Sequence, residues 1–186
     1  MKIKVSIIGA SGYTGGELVR YLLKHPSVEI SHLTSNSFAG KSIEKAHPSL
    51  VSCALKFETC DTDKIAKNSD LVFLCLPHAK SAKMVKEFLD RKVKVIDLSA
   101  DFRIKSKSLY EKWYGAHPCP ELLNRAVYGL CELYRKEIKG AALVANPGCY
   151  ATATILSAFP LIKKGILKKG SLIVDAKSGT SGAGKN

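Results

Sequence analysis

Short apolar runs alternate with amphipathic segments along most of the chain. Six runs are typical of buried strands, and they lie at residues 3–9, 28–34, 70–77, 93–99, 141–147 and 170–176. Apolar side chains recur at helical spacing in residues 14–24, 79–89 and 149–163, and Pro160 should kink or end the last of these helices. Residues 101–140 are less regular, which predicts loops and short helices. Strands separated by helices predict an α/β fold with a doubly wound parallel sheet.

The loop between the first predicted strand and the first helix is rich in glycine. It reads IIGASGYTGGEL, in which Gly9, Gly12 and Gly15 have the spacing G-x-x-G-x-x-G. Glycine permits a tight turn and lets a pyrophosphate approach the backbone, and the helix start presents N–H groups to that anion. At the start of an alternating β/α chain, this spacing predicts a Rossmann-type dinucleotide site and not an ordinary strand-to-helix turn.

The end of the second predicted strand indicates which nicotinamide cofactor this site would bind. An NAD site usually has an Asp or Glu about 20 residues after the glycines, where it binds the ribose hydroxyls. Here the sequence is LTSNSFAGK, in which Thr34, Ser35 and Asn36 offer hydroxyl and amide groups and Lys41 offers a cation. Because these groups suit a 2′-phosphate better than a bare ribose, we expect NADP.

The sequence LVANPGCYATA places Cys149 after a predicted strand and at the start of a helix. A helix N-terminus favours a thiolate, and the carboxyl edge of such a sheet faces the cofactor crevice. This setting predicts a nucleophile that forms a thioester, which a hydride then reduces. Cys75 lies inside an apolar run and is expected to be inert. The same is expected of the cysteines that lack a strand-turn-helix setting, namely Cys53, Cys60, Cys119 and Cys131.

Composition and charge limit the classes of partner. The chain has 186 residues, a hydrophobic fraction of 46% and a net charge of +13. The basic residues are spread along the chain, which favours a solvated lysine surface over nucleic-acid binding. No apolar run is long enough to span a membrane, the start does not resemble a signal peptide, and no C-x-x-C pair supports a zinc site. We therefore expect a cytoplasmic protein with no membrane, nucleic-acid or metal partner.

The last residues, GTSGAGKN, are close to the P-loop pattern G-x-x-x-x-G-K-[ST]. They match it at Gly179, Gly184 and Lys185. Asn186 lacks the hydroxyl that a P-loop offers to Mg²⁺, and no helix follows in the sequence. A P-loop NTPase is therefore a rival interpretation with an incomplete motif.

Five motifs, in this order and spacing, resemble N-acetyl-gamma-glutamyl-phosphate reductase of arginine biosynthesis. They are GASGYTGGEL, LPH, DLSADFR, VYGLCEL and NPGCYATA. The resemblance covers the whole chain and implies NADPH-dependent reduction of an acyl phosphate to an aldehyde by a homo-oligomer. It implies that Cys149 is the nucleophile and that Arg103 holds the substrate phosphate or carboxylate, with a surface or interdomain ion pair as the alternative for Arg103. The residues that it implies for the cofactor are Gly9, Ser11, Gly12, Tyr13, Thr14, Gly15, Ser35, Ser178 and Gly179.

The chain departs from the family pattern in three places. The family usually has proline where Cys131 stands, and it often has an arginine near Asn36. The family's general acid/base is a histidine in the second half, and none of the histidines matches it, whether His25, His32, His47 or His117. We therefore expect the first half of such an enzyme, with a NADP-binding domain at 1–148 and the beginning of an α+β substrate and dimerisation domain at 149–186. In this interpretation the tail is an active-site loop, with Lys185 in place of an arginine.

Two further alternatives remain open. Aminoadipyl or aspartyl phosphate could replace the glutamyl substrate with the same chemistry, although NPGCYAT argues against the aspartyl branch. A non-catalytic NADP-binding or nucleic-acid-binding module would explain both the absence of the histidine and the high charge.

Overall fold

A computed structural model describes residues 1–51, 53–168 and 170–184. Six parallel strands form one sheet in the order β2-β1-β3-β4-β6-β5. The strands are β1 Ile3–Ile8, β2 Val28–Thr34, β3 Leu71–Leu74, β4 Lys94–Asp97, β5 Val127–Tyr128 and β6 Leu143–Ala145. β2 and β3 lie on opposite sides of β1, so the chain changes direction across the sheet at the β1–β3 boundary.

Helices connect these strands in the alternating pattern that the sequence predicts. They are α1 Tyr13–Leu22, α2 Thr62–Lys67, α3 Ser81–Asp90, α4 Lys107–Tyr114, α5 Cys131–Gly140 and α6 Cys149–Lys163. Short 3₁₀ turns lie at Ile43–Lys45, Pro48–Leu50, Pro120–Arg125 and Thr180–Ala183. Within the described ranges, the helices are too short or too polar to cross a membrane.

Both faces of the sheet are covered by apolar side chains. On one face Ile7 packs in a cluster with Val19 of α1, and on the other Ile8 packs in a cluster with Val85 and Phe88 of α3. Successive residues of a strand point to opposite faces, so a strand buried on both faces must be continuously apolar. Each fully buried side chain of this size stabilises the fold by about 1.5–3 kcal/mol. The predicted doubly wound α/β fold is confirmed.

Two sequence-based expectations about elements are wrong, and a third is met in its bounds. Residues 170–176 form no strand, because no strand of the described sheet pairs with them; their large apolar side chains, Leu172, Ile173 and Val174, are exposed and line a cleft beside α6. α6 spans Cys149–Lys163, as the sequence predicts, and Pro160 lies inside the helix and does not end it. Conversely, β5 lies in the region expected to hold only loops and helices. Two residues are too few to show a strand period, and the pairing of β5 with β6 creates it.

A buried carboxylate holds the loop that joins β3 to α3. Asp101 accepts hydrogen bonds from the backbone N–H groups of Ala79, at 2.7 Å, and Ala82, at 3.1 Å, and from the Tyr110 hydroxyl at 3.3 Å. α3 has no cap from a side chain of its own N-cap residue, Lys80. Asp101 therefore satisfies helix-start donors from a distant part of the chain.

The backbone conformation at the C-terminus of α3 predicts that one substitution there stabilises the protein. Lys92 has φ +62°, and the N–H groups of Lys92 and Val93 bond back to Leu89 and Phe88 as in a Schellman motif. Glycine adopts this conformation without the steric cost of a Cβ atom. We expect Lys92→Gly to raise the free energy of unfolding by about 0.5–1 kcal/mol, as measured by urea denaturation. The matched control, Lys83→Gly in the helix interior, should lower it by a similar amount, and a loss in both variants would contradict the assignment.

Candidate active site

A cleft opens at the carboxyl edge of the sheet, where the strand order changes direction. Its volume is about 290 Å³, and it is lined by Ile8, Gly9, Ser11, Thr34, Ser35, Asn36, Ser37, Cys60, Leu76, Lys80 and Met84. The carboxyl end of β1 forms its floor, and the loops after β2 and β3 form its walls. Doubly wound sheets bind dinucleotides in this position.

The three glycines of the first loop have different structural roles. Gly9 has φ +78°, and a side chain there would lie 2.5 Å from the carbonyl oxygen of Cys75. A Cβ atom on Gly15 would lie 2.6 Å from the Cα atom of Ala10. Gly12 differs, because a Cβ atom there would meet only the Gly9 carbonyl oxygen, at 3.7 Å. Packing within the protein therefore requires glycine at 9 and 15 but leaves the space beside Gly12 open.

Gly12 is also the N-cap residue of α1. It provides no side-chain cap, and the first turn of α1 contains no acidic residue. A helix start of this kind presents backbone N–H groups and the positive end of the helix dipole to an anion. The open space at Gly12 thus has the shape and the polarity that fit a pyrophosphate, with Tyr13 and Thr14 as the next residues of the helix.

The wall of the cleft at the end of β2 is polar, and hydrogen bonds connect it to the glycine loop. The Ser35 hydroxyl donates to the Ser11 hydroxyl at 2.8 Å, and it accepts from the N–H group of Phe38 at 3.3 Å. The hydroxyl oxygen of Thr34 lies 3.4 Å from the Gly9 nitrogen, which donates to it. Thr34 and Ser35 are both buried. These bonds fix the end of β2 against the loop after β1.

The cation of this cleft is not the one that the sequence suggested. The ammonium group of Lys41 lies over the Phe38 ring, 5.5 Å from its centre, and Lys41 is not among the residues that line the cleft. Lys80 lines it instead, from the loop after β3. Sequence reasoning missed Lys80, although its position two residues after the LPH motif was the available signal. His78 of that motif is exposed, with its ring centre 5.8 Å from that of Tyr114.

His47 supports the glycine loop from outside the cleft. Its Nε2 atom lies 2.8 Å from the carbonyl oxygen of Ala10, and its ring occupies the space that a side chain on Gly16 would need. The sequence was used to consider His47 only as a general base. The pair Gly15–Gly16 was the signal that another group packs closely against the start of α1. His47 also lines a second cleft with Tyr13 and Ser181, so the tail approaches the start of α1.

The tail itself forms a short turn. The Ser178 hydroxyl donates to the carbonyl oxygen of Gly179 at 3.2 Å, and a 3₁₀ turn follows at Thr180–Ala183. Neither Ser178 nor Gly179 lines the cleft beside the glycine loop. Lys185 and Asn186, on which the P-loop interpretation depends, lie outside the described residues.

Cys149 is the first residue of α6 and directly follows the turn after β6. It is exposed, its N-cap residue is Gly148, and the first turn of the helix contains no acidic residue. β6 is separated from β1 by β3 and β4, which are three strand spacings or roughly 14 Å. Because all these strands are parallel, Cys149 and the glycine loop lie on the same edge of the sheet.

Arg103 clamps the turn that carries Cys149. Its Nε atom donates to the carbonyl oxygen of Asn146 at 2.7 Å, and its Nη2 atom donates to that of Leu98 at 2.8 Å. Its Nη1 atom lies 3.0 Å from the place that a Cβ atom on Gly148 would occupy. The guanidinium group therefore joins the chain after β4 to the chain after β6, and Gly148 is required for its approach. Within the described part of the chain Arg103 forms no ion pair.

A buried acid lies beside this clamp. Asp97, at the end of β4, accepts hydrogen bonds from the N–H group of Ser99 at 3.1 Å and from its hydroxyl at 2.7 Å. Burial raises the pKa of the Asp97 carboxyl above its usual range. The carbonyl oxygen of Asp97 accepts from the N–H group of Asn146 at 2.8 Å. The backbone before Cys149 is thus held from two sides.

The remaining cysteines differ in exposure: Cys119 is buried, Cys131 is exposed, and Cys53, Cys60 and Cys75 are half-buried. Burial raises the pKa of Cys60 to about 11 and that of Cys75 to about 12, and it also raises the pKa of Cys119. Cys131 contradicts its sequence-based assignment, because it does have a strand-turn-helix setting. It follows β5, begins α5 and is exposed. The short strand before it could not be recognised from the sequence.

Both segments of the chain match family models. Residues 4–141 match the NAD binding domain of semialdehyde dehydrogenase. Residues 149–186 match the semialdehyde dehydrogenase dimerisation domain.

Among curated proteins, the chain is similar to several N-acetyl-gamma-glutamyl-phosphate reductases. It is 56% identical to that of Campylobacter jejuni strain 81-176, over 100% of this chain and 54% of that protein. It is 50% identical to that of Magnetococcus marinus, over 99% of this chain and 53% of that protein. The chain spans about half the length of the curated relatives that it matches.

Solved structures share the fold at low sequence identity. An aspartate semialdehyde dehydrogenase with NADP from Candida albicans has a TM-score of 0.62 at 18% identity, covering 90% of this chain and 48% of that chain. A Rex-family repressor has a TM-score of 0.51 at 12% identity, covering 88% of this chain and 61% of that chain. At these identities the likeness shows the fold alone.

The difference between the exposed thiols and the half-buried thiols with raised pKa values predicts which cysteines react. Iodoacetamide reacts with the thiolate, so a raised pKa keeps a thiol unreactive at neutral pH. At pH 7.5 we expect peptide mass spectrometry to find label on Cys149 and Cys131, with little on Cys60 and Cys75. Below its raised pKa, the labelling rate of Cys60 should increase about tenfold for each pH unit between 7 and 9. Faster labelling of Cys75 than of Cys149 at pH 7.5 would contradict this division.

Proposed function

The chain belongs to the semialdehyde dehydrogenase family, and from that premise we propose that it supplies the cofactor site and the nucleophile for NADP-dependent reduction of N-acetyl-gamma-glutamyl phosphate. One observation carries the proposal: an exposed cysteine at the start of α6 lies on the same sheet edge as a glycine loop that fits a pyrophosphate. The names of relatives at 56% and 50% identity support the choice of substrate.

The residues that line the cleft support the proposal of a dinucleotide cofactor, with NADP preferred to NAD. The backbone at Gly12 and the start of α1 would hold the pyrophosphate, with Gly9 and Gly15 shaping the loop. Ser35 and Asn36 would face the adenosine ribose, and among the described residues no Asp or Glu lines the cleft. An acid in that position selects the bare ribose hydroxyls of NAD. When bound, the nicotinamide supplies a hydride to the acyl carbon held on the protein.

Cys149 begins the chemistry as a thiolate. Its sulfur attacks the acyl carbon of the acyl phosphate, a C–S bond forms, and the bond from that carbon to the phosphate oxygen breaks. Phosphate leaves with the bonding pair, and the acyl group remains on Cys149 as a thioester. After hydride addition the C–S bond breaks, which releases the semialdehyde and returns the thiolate.

Arg103 positions this nucleophile. Two of its nitrogens are committed to backbone carbonyl groups, and these bonds hold the turn at Asn146–Gly148. The Nη1 edge beside Gly148 is the part that could reach a substrate phosphate or carboxylate. The substrate role of Arg103 is therefore proposed as additional to its role in holding the turn.

The segment from α6 onward is proposed to contribute to a subunit contact. It matches the dimerisation domain of the family. Large apolar side chains are exposed along it, including Ile162, Ile166 and Ile173. An exposed apolar surface of this kind is typical of a surface that another chain or another segment covers.

The different roles of the glycines predict different effects of substitution. Gly12→Ala places a methyl group in open space, so we expect the thermal unfolding midpoint to stay close to that of the wild type. The same methyl group would block a pyrophosphate, so NADPH affinity in a fluorescence titration should fall at least tenfold. In Gly15→Ala the methyl group meets Ala10, which should cost about 1–3 kcal/mol of stability. Undiminished NADPH binding by Gly12→Ala would argue against this cofactor site.

Acyl transfer to Cys149 is the direct test of the proposed function. The chain is mixed with N-acetyl-gamma-glutamyl phosphate without cofactor, and its intact mass is measured after acid quenching. We expect the mass of one N-acetylglutamyl group to be added to the wild type, none to Cys149→Ala, and one to the matched control Cys131→Ala. Addition of NADPH should remove the group with consumption of one equivalent of NADPH. An adduct that persists in Cys149→Ala would refute the assignment.

A further inference from the structure

Lys80 lines the cofactor cleft on the wall opposite Ser35, and we propose that its ammonium group binds the 2′-phosphate of NADP and makes the site select NADP over NAD. The inference rests on the proposed function, because it requires a nicotinamide dinucleotide in this cleft. It assigns the selectivity for NADP to Lys80, which follows β3, and not to Lys41, which follows β2.

The strand order places Lys80 across from the end of β2. β1 lies between β2 and β3, so the loops that follow β2 and β3 face each other across two strand spacings, or about 10 Å. Ser35, Asn36 and Ser37 line one wall, and Lys80 lines the other beside Leu76 and Met84. A phosphate group held against the serine wall therefore lies in the space towards which the long side chain of Lys80 can extend.

Charge in the cleft also points to Lys80. Lys80 is the only Lys or Arg among the described residues that line the cleft, and none of those residues is Asp or Glu. Lys80 is exposed and forms no ion pair within the described ranges. Lys41 is unsuited to the role, because its ammonium group lies over the Phe38 ring.

The acids that act on the cleft leave Lys80 without a counter-ion. Burial, together with Glu87, Asp61 and Glu58, raises the pKa of Cys60 to about 11. Glu58 is paired with Lys64 and His32. Asp61 caps α2 by accepting from the N–H group of Lys64 at 3.0 Å. Glu87 accepts from the Thr62 hydroxyl at 2.9 Å. All three carboxylates have local partners, and within the described residues none pairs with Lys80. An added phosphate is therefore the group best placed to neutralise Lys80.

The two phosphate-bearing parts of the cofactor need different partners. Backbone N–H groups at the start of α1 suffice for the pyrophosphate of a Rossmann-type site. A 2′-phosphate lies at the end of the second strand, where the residues that line the cleft offer hydroxyl and amide groups, while the ammonium group of Lys41 lies over the Phe38 ring. A dianionic group surrounded only by neutral donors would have no positive charge beside it, and Lys80 supplies that charge from the opposite wall.

The test compares cofactor affinities of Lys80→Gln with those of the wild type. Fluorescence titration with NADPH and NADH should show that the Kd for NADPH rises about tenfold while the Kd for NADH changes less than about twofold. As a second probe, adenosine 2′,5′-bisphosphate should compete better than AMP in the wild type and no better than AMP in the variant. Two matched controls, Lys83→Gln on the same helix and Lys41→Gln, should behave as the wild type does.

The outcomes separate this inference from the proposed function. An equal loss of NADPH and NADH affinity in Lys80→Gln would overturn the inference, because Lys80 would then bind a part that both cofactors share. Unchanged affinities in Lys80→Gln, or a selective loss in Lys41→Gln, would overturn it while leaving the cofactor site in place. A wild type that binds neither NADPH nor NADH would overturn the proposed function and the inference together. Circular dichroism melting confirms that each variant is folded.

Discussion

Parallel pairing of the strands is the constraint on which the site depends. In a parallel sheet every strand ends at the same edge, so every turn into the following helix begins there. The glycine loop after β1, the loop that carries Lys80 after β3 and the turn before Cys149 after β6 are therefore brought to one edge. The sheet requires both of its faces to be buried, and the two apolar clusters meet that requirement. Residues far apart in the chain become neighbours for this reason.

The segment Asp97–Arg103 holds that edge together. Asp101 caps α3, Arg103 bonds to carbonyl groups beyond β4 and β6, and the Asp97 backbone bonds to Asn146. Burying charged and polar groups is costly unless their hydrogen bonds are satisfied, and here the bonds join three strand ends. The motif DLSADFR thus affects the candidate site by positioning other residues. It orients the loop that carries Lys80 and the turn that precedes Cys149.

The fold of this chain does not by itself specify a function. A Rex-family repressor and an aspartate semialdehyde dehydrogenase share its architecture at low identity, so the sheet alone does not specify a reaction. The element on which the proposed reaction depends is Cys149, an exposed cysteine at a helix start beyond the cleft beside the glycine loop. Cys131 has a similar local setting but begins α5 after the edge strand β5. Position in the strand order therefore matters as much as the strand-turn-helix pattern.

The sequence by itself determined the alternating fold, the glycine loop and the setting of Cys149, because strand and helix periods and turn glycines act over a few residues. It could not reveal that Lys80, and not Lys41, lines the cleft, or that Asp101 caps α3. It also predicted a strand at 170–176 that finds no partner in the described sheet, and it missed β5, which exists through its pairing with β6. These features were decided by the tertiary structure. Each depends on which distant segments pack side by side, and no local pattern of side chains records that arrangement.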